Sequence, residues 1–385
     1  MFKLLKRGEC YAPKFLGKKD ILVAFNKIYK IDENIATDNL IDVEIIDCTD
    51  KIICPGFIDQ HLHITGGGGE EGFVSRIPEI KFSDILTAGI TTVVGLLGFD
   101  SITRNVEGLL AKARALETEG LNTYIYTGSY GIPTATITGK VIKDITLIDK
   151  VIGVGEIAIS DHRSSHPTID MLKEIACEAR TGGLLSNKAG IVHIHVGDGK
   201  KGLKPLIELV EDSDYPMEMF VPTHLNRNKN LFYQSLQFAK SGGNIDFTSG
   251  ESSETGYSVP DALELVLKEK VPIERVTVSS DGNGSIPSKG TGIEVGKVYQ
   301  LFEDIRVSIL ERKLDLEKVL KTVTENVAKR IKLYPQKGVL AEGSDGDILI
   351  INKEDFSINS VLIGGKKFID NGKVVKRGFY ENCQL

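Results

Sequence analysis

The sequence has little of what would place it in several large classes. Its five cysteines, Cys10, Cys48, Cys54, Cys177 and Cys383, are scattered with no CxxC pair. That argues against a disulfide framework and against a cysteine-held zinc. No apolar run approaches the roughly 20 residues a membrane helix needs. The opening residues, MFKLLKRGECY, lack the continuous apolar core of a secretory signal, so the expected location is cytoplasmic. A net charge of −6 supplies no general electrostatic reason to bind nucleic acid or an anionic membrane. No GxGxxG fingerprint follows the first strand-like segment of the central region, which weakens a dinucleotide-binding reading. No internal repeat, low-complexity tract or flexible linker stands out.

What is present is a rhythm. β-rich stretches recur at 57–63, 91–97, 123–127, 152–159, 191–196, 219–223, 244–248 and 276–280, starting about 25 to 40 residues apart, the length of one βα unit. Between them lie amphipathic helical patterns, including 105–119, 168–180 and 259–269, with Ser258 a natural N-cap ahead of Pro260. Eight strands alternating with helices favour an α/β fold of the (β/α)8 TIM-like type over an open doubly wound sheet. The flanks differ: short β-like pieces without long helices occupy residues 1–55 and 336–385. The expected organisation is a small β-sandwich domain built from both termini, with the barrel, 56–335, inserted between its halves.

Barrel enzymes carry their chemistry at the C-terminal ends of the strands. Strand one ends in His61-Leu62-His63, and residues two apart on a strand share a face. Strand four carries Glu156, strand five carries His193 and His195, strand six ends in His224 and strand eight in Asp281. One HxH alone is weak, and an Asp after a strand is ordinarily a turn residue. The joint occurrence at matching strand ends is what points to metal, since neutral imidazole and carboxylate suit zinc or a similar divalent ion. His61, His63, Glu156, His195, His224 and Asp281 suffice for two such ions sharing a carboxylate. His193 is expected one layer deeper as a supporting core residue. His162 and His166 fall in the loop after strand four, away from direct ligation.

The segments PGFIDQHLHITGGGGEEG, TGSYGIPTATITG, AISDHRSS, PTHLNRN and SSDGNGS, together with KGVLAEGSDGDILI near the C-terminus, resemble the isoaspartyl dipeptidase family of the amidohydrolase superfamily over essentially the whole chain. The resemblance implies a binuclear metallohydrolase, a metallopeptidase that cleaves β-aspartyl dipeptides. It assigns His61 and His63 to the more buried ion, His195 and His224 to the other, and makes Asp281 both a ligand of the first site and the general base. It makes Glu70 the partner of the substrate ammonium, Tyr130 the donor to the oxyanion, and Arg163 and Arg227 the carboxylate grips, with Ser285 adding a hydrogen bond. It also implies a homo-oligomer, an octamer. Independently, a dipeptide with one ammonium and two carboxylates calls for an acid and at least two guanidinium groups, whose planar fork fits carboxylate. Gly66 to Gly69 give the loop before Glu70 backbone shapes closed to other residues.

One departure matters. Many family members bridge the ions with a carboxylated lysine on strand four, and here the run from Val151 to Arg163, VIGVGEIAISDHR, holds none. Glu156 is the expected bridge, and the segment looks one residue longer than the lysine form, so a bulge is expected to advance the shorter side chain. Competing readings are an N-acyl amino acid deacylase, a cyclic amidase, or an inactive barrel used for assembly. Glu70 with Arg163 and Arg227 separates the dipeptidase reading from the deacylase and the cyclic amidase, because a substrate without a free α-amino group has no use for the glutamate, while the six filled ligand positions count against an inactive barrel.

Overall fold

The computed structural model describes residues 2–37, 42–251, 254–287 and 293–382. The N-terminal segment folds as strands β1 (Phe2–Tyr11), β2 (Phe15–Ala24), β3 (Lys27–Asp32), β4 (Val43–Asp47) and β5 (Lys51–Pro55). Eight strands follow: β6 (Phe57–Leu62), β7 (Ile90–Gly95), β8 (Asn122–Thr127), β9 (Val151–Ile159), β10 (Ile191–Val196), β11 (Phe220–Thr223), β12 (Ile245–Thr248) and β13 (Val276–Ser279). A short hairpin, β14 (Ser285–Pro287) and β15 (Ile293–Val295), precedes the C-terminal strands β16 (Ile348–Asn352), β17 (Ile358–Ile363), β18 (Lys366–Asp370) and β19 (Lys373–Val374).

Strands β6 to β11 form a six-stranded parallel sheet in sequence order, and β12 pairs with β13 in parallel. Backbone hydrogen bonds cross both remaining gaps. Leu225 N–H, just past β11, donates to Asp246 O in β12 at 3.3 Å, and at the other gap Asp281 N–H donates to His61 O and His63 N–H to Gly282 O, both at 3.1 Å. Every residue of β6, β7, β9 and β10 is buried, as befits strands covered on both faces. The connecting helices are α1 (Phe82–Leu86), α2 (Val106–Glu119), α3 (Val141–Leu147), α4 (Ile169–Ser186), α5 (Lys204–Glu211), α6 (Lys229–Lys240) and α7 (Val259–Lys268). They are followed by α8 (Gln300–Leu310), α9 (Leu316–Val323) and α10 (Glu325–Arg330). Their starts are chemically marked: the side chains of Asn105, Thr168, Asn228 and Ser258 each accept a backbone N–H of the first turn.

The terminal strands lie in one nine-stranded sheet, ordered β19-β18-β17-β16-β5-β1-β2-β3, with β4 also pairing to β1. The two ends of the chain meet where β16 runs antiparallel to β5, Ile350 opposite Ile53. Leu5, Cys10, Ile21, Val23, Ile53, Ile348 and Leu362 pack together beneath this junction. No helix among the described residues is long and apolar enough to cross a membrane.

One local irregularity positions the site. Val154 of β9 faces Val192 of β10, but Ile157 faces Ile194. Three steps along β9 therefore match two along β10, a one-residue bulge that includes Glu156. This is the feature expected from the segment's extra length.

Candidate active site

At the C-terminal end of the eight-strand set, Glu156 sits at the centre of the imidazoles. Its carboxylate lies 3.6 Å from His61 Nε2, 3.7 Å from His63 Nε2, 3.2 Å from His195 Nδ1 and 3.5 Å from His224 Nε2. Asp281 approaches from β13, its Oδ1 3.3 Å from His61 Nε2 and 3.1 Å from His63 Nε2. The six residues expected as ligands are brought together and all are buried. Of the three that follow their strands, His63, His224 and Asp281, the last two lie in the left-handed backbone region with φ of 63° and 48°, a conformation non-glycine residues adopt at a cost on the order of 1 kcal/mol. Gly284 makes room for the close approach, since a Cβ there would lie 2.6 Å from Asp281 Oδ1 and 2.8 Å from His63 Cδ2.

The donor set fits a divalent ion. Two ligand atoms each about 2.1 Å from one zinc stand roughly 3.4 Å apart at tetrahedral angles, which is the spacing of these nitrogen–oxygen contacts. His61 Nε2 is buried and has no hydrogen-bond partner among the described residues. Among the described residues three groupings could hold an ion: His61, His63 and Glu156; His61, His224 and Asp281; and Glu156, His195 and His224. Glu156 is common to the first and third. The electrostatics agree. Burial alone would lower the pKa of His61, but the pull of Glu156 and Asp281 raises it from 6.5 to about 9. Burial likewise opposes ionisation of Glu156 and Asp281, yet the surrounding histidines hold both carboxyls well below their usual range. Two buried carboxylates thus demand positive charge at this point.

Neighbouring groups orient the imidazoles. His61 Nδ1 meets His193 Nε2 at 2.8 Å, and the His193 ring stacks on Tyr126. His193 is therefore the deeper supporting residue expected from its register. His224 Nδ1 pairs with Thr248 Oγ1 at 2.8 Å. His195 Nε2 pairs with Asp161 Oδ2 at 2.9 Å, which leaves Nδ1 facing Glu156. Tyr130 sets its hydroxyl 2.9 Å from the same Nδ1, and burial raises its pKa well above the ordinary value, so it stays a donor.

The residues expected to contact substrate share this cavity with the cluster: Glu70, Tyr130, Arg163, Arg227 and Ser285 line it beside His63, Glu156, His195, His224 and Asp281. Gly66, at φ 83°, lets the glycine loop fold against the 77–78 segment, where a Cβ would lie 2.0 Å from Ile77 O. Glu70 Oε1 accepts from Ser285 Oγ at 2.5 Å and Arg163 Nη1 at 3.2 Å. Its Oε2 is buried with no partner among the described residues. Arg227 donates to Val196 O at 3.3 Å and pairs with Glu251 at 3.5 Å. His162 is exposed in the loop after β9, and His166 meets Ser164 rather than the cluster.

Asp161, Thr248 and Glu251 carry no role in the sequence reading. Asp161 and Glu251 each stand two or three residues beyond a strand end, β9 and β12, so the strand-end rule applied to every acid would have flagged them. Thr248 has no such signal.

Residues 52–368 match the model of the amidohydrolase family. The β-aspartyl dipeptidase of Fervidobacterium islandicum AW-1, solved in complex with β-Asp-Leu dipeptide, is 44% identical, with a TM-score of 0.92 over 98% of this chain and 100% of that one. An imidazolonepropionase of Colwellia psychrerythraea is 23% identical over 81% of this chain and 78% of its own. The dihydropyrimidinase of Brevibacillus agri shares the fold at 16% identity, with a TM-score of 0.66 over 98% of this chain and 97% of that one. On the strength of the strand-end cluster and a match that spans most of the sequence, the chain belongs to the amidohydrolase family.

Proposed function

We propose that the protein hydrolyses the β-aspartyl (isoaspartyl) amide bond of dipeptides. The observation that carries this is the placement of one unpaired carboxylate oxygen, Glu70 Oε2, and two guanidinium groups, Arg163 and Arg227, in one cavity with the His–Glu–Asp cluster. Such a substrate has one ammonium, two carboxylates and a scissile amide, and each finds a complementary group here. The likeness to the Fervidobacterium β-aspartyl dipeptidase supports the same reading.

His61, His63, Glu156 and Asp281 would hold one divalent ion, and His195, His224 and Glu156 a second, both zinc by donor type. When bound, such ions supply Lewis acidity that brings the pKa of water toward neutrality and polarises the amide carbonyl. Asp281, at the mouth of the strands, takes the proton of the attacking water and delivers it to the leaving amine. Tyr130 donates its hydroxyl proton toward the developing oxyanion. Glu70 Oε2 receives the α-ammonium while Ser285 and Arg163 hold Oε1. Arg163 and Arg227 orient the carboxylates. Burial of these groups makes each contact stronger than it would be in water.

The same reading takes the eight central strands as a complete (β/α)8 barrel spanning 56–335. It takes 1–55 with 336–385 as a small β-sandwich domain, and the working form as a homo-oligomer. The test is substrate discrimination by zinc-loaded protein offered β-Asp-Leu, α-Asp-Leu, N-acetyl-leucine and hydantoin. Turnover of β-Asp-Leu at least about 100-fold above the others, an advantage near 2.7 kcal/mol, is expected. Preferred opening of hydantoin, or deacylation of the N-acetyl compound, would replace this reading with a cyclic amidase or a deacylase.

A further inference from the structure

We propose that Asp161 is a positioning residue for this reaction, a single carboxylate that holds His195 and Arg163 together and so ties the metal centre to the substrate clamp. The inference rests on the functional reading above.

Asp161 follows β9 on the turn that leads to Arg163 and is buried. Its Oδ2 stands 2.9 Å from His195 Nε2 and 3.0 Å from Arg163 Nη2. Its Oδ1 accepts from Arg163 N at 2.8 Å and Arg163 Nε at 3.1 Å. His162 Nδ1, on an exposed ring, lies 3.5 Å from the same Oδ1. Room for the carboxylate is built in: a Cβ at Gly197 would lie 2.5 Å from Asp161 Cβ and 2.6 Å from Oδ2.

Two consequences follow from donor and acceptor chemistry. An acceptor at Nε2 keeps the proton of His195 on that nitrogen, so the Nδ1 lone pair points at Glu156, 3.2 Å away. The carboxylate also takes the Nε–Nη2 edge of Arg163, while Nη1 reaches Glu70 at 3.2 Å. Arg163 therefore meets a substrate with its remaining Nη hydrogens, its plane set by Asp161 and by the Tyr130 ring 5.3 Å away. One unbroken path runs from Glu156 through His195, Asp161 and Arg163 to Glu70.

An ordinary surface-type ion pair between Asp161 and Arg163 would leave metal binding untouched, and that separates the two roles. Metal-stripped full-length protein is titrated with zinc against a chromophoric chelator, and KM and kcat are measured on β-Asp-Leu, for wild type, Asp161→Asn, Asp161→Glu and Arg163→Met. In Asp161→Asn one zinc equivalent is expected to weaken about 10- to 100-fold, the other to hold, and KM to rise. Asp161→Glu restores part of the lost zinc affinity. Arg163→Met raises KM with both zinc affinities as in wild type. If Asp161→Asn fails to fold by thermal melt, Gly197→Ala, whose Cβ would meet Asp161 Oδ2 and Ser160 O at 2.6 Å each and so displaces the carboxylate without changing its chemistry, should weaken the same equivalent. Wild-type zinc affinity in the Asp161 or Gly197 variants overturns the inference alone, as does equal zinc loss in Arg163→Met. Wild-type protein that takes up no zinc overturns the functional reading and this inference with it.

Discussion

Nδ1 of His61 lies 2.8 Å from Nε2 of His193, one layer below the cluster that faces Glu156 and Asp281. With His61 Nε2 turned toward those carboxylates, Nδ1 must carry the proton and donate it downward. His193 thus sets the tautomer of its neighbour while its own ring rests on Tyr126. His193→Ala is expected to weaken the deeper ion by about 10- to 100-fold while leaving stoichiometry at saturating zinc unchanged. Zinc titration of stripped protein checks this. Unaltered affinity would reduce His193 to a packing residue.

The central position of Glu156, within 3.7 Å of four imidazole nitrogens, predicts a different outcome for its own variant. Glu156→Gln keeps the shape but halves the oxygen donors and removes the charge. One of the two zinc equivalents should be lost or weakened beyond the other. A glutamate bridge also has no carbamate to form, so activity and zinc uptake should be the same in bicarbonate-free buffer. A bicarbonate requirement, or full stoichiometry in the variant, would reject the bridging role.

Much of this was legible in residue order, for identifiable reasons. His61 and His63 could be read because a strand's period of two puts both on one face, and the parallel units put that face at the mouth. The Glu156 bulge could be read from segment length, and the register of β9 on β10 contains it. β1 could not. Its pairing with β2 shifts register between Leu5 and Gly8, and Arg7 takes a φ of 66°. That irregularity resets the alternation of apolar side chains, so FKLLKRGECY does not look like one strand. Nor could the contact of Asp161 with His195, 34 residues apart, since only the packing of β9 beside β10 brings the two together.

Glu70 offers one committed oxygen and one free one. Replacing it by Gln leaves an acceptor for Ser285 or Arg163 but removes the charge that meets the ammonium. A hydrogen bond to a charged group contributes about 1.5–3 kcal/mol. The kcat/KM for β-Asp-Leu should therefore fall by about 10- to 150-fold, and the penalty should shrink for the analogue lacking the α-amino group. An equal penalty on both compounds would show that Glu70 acts by holding Arg163 instead.

Asp304 on α8, outside the ligand cluster itself, yields a pH prediction with a definite sign. It is buried, and although it accepts from Gln300 Nε2 at 2.7 Å and Gly250 N–H at 3.1 Å, burial raises its pKa from 3.8 to about 6. Between those values the folded protein holds a proton that the unfolded chain has released. Stability therefore falls as pH rises through this window, by at most about 1.4 kcal/mol per pH unit and about 3 kcal/mol in all. Asp59, also raised to about 6 by burial, adds a slope of the same sign, so wild type alone cannot isolate Asp304. The difference between wild type and Asp304→Asn can. Urea unfolding of both at pH 4, 5, 6 and 7 should show the variant gaining about 2–3 kcal/mol on wild type across the series, whatever its offset at pH 4. A pH-independent difference would mean that Asp304 is as easily ionised in the folded protein as in the unfolded chain, and that its hydrogen bonds from Gln300 and Gly250 offset its burial.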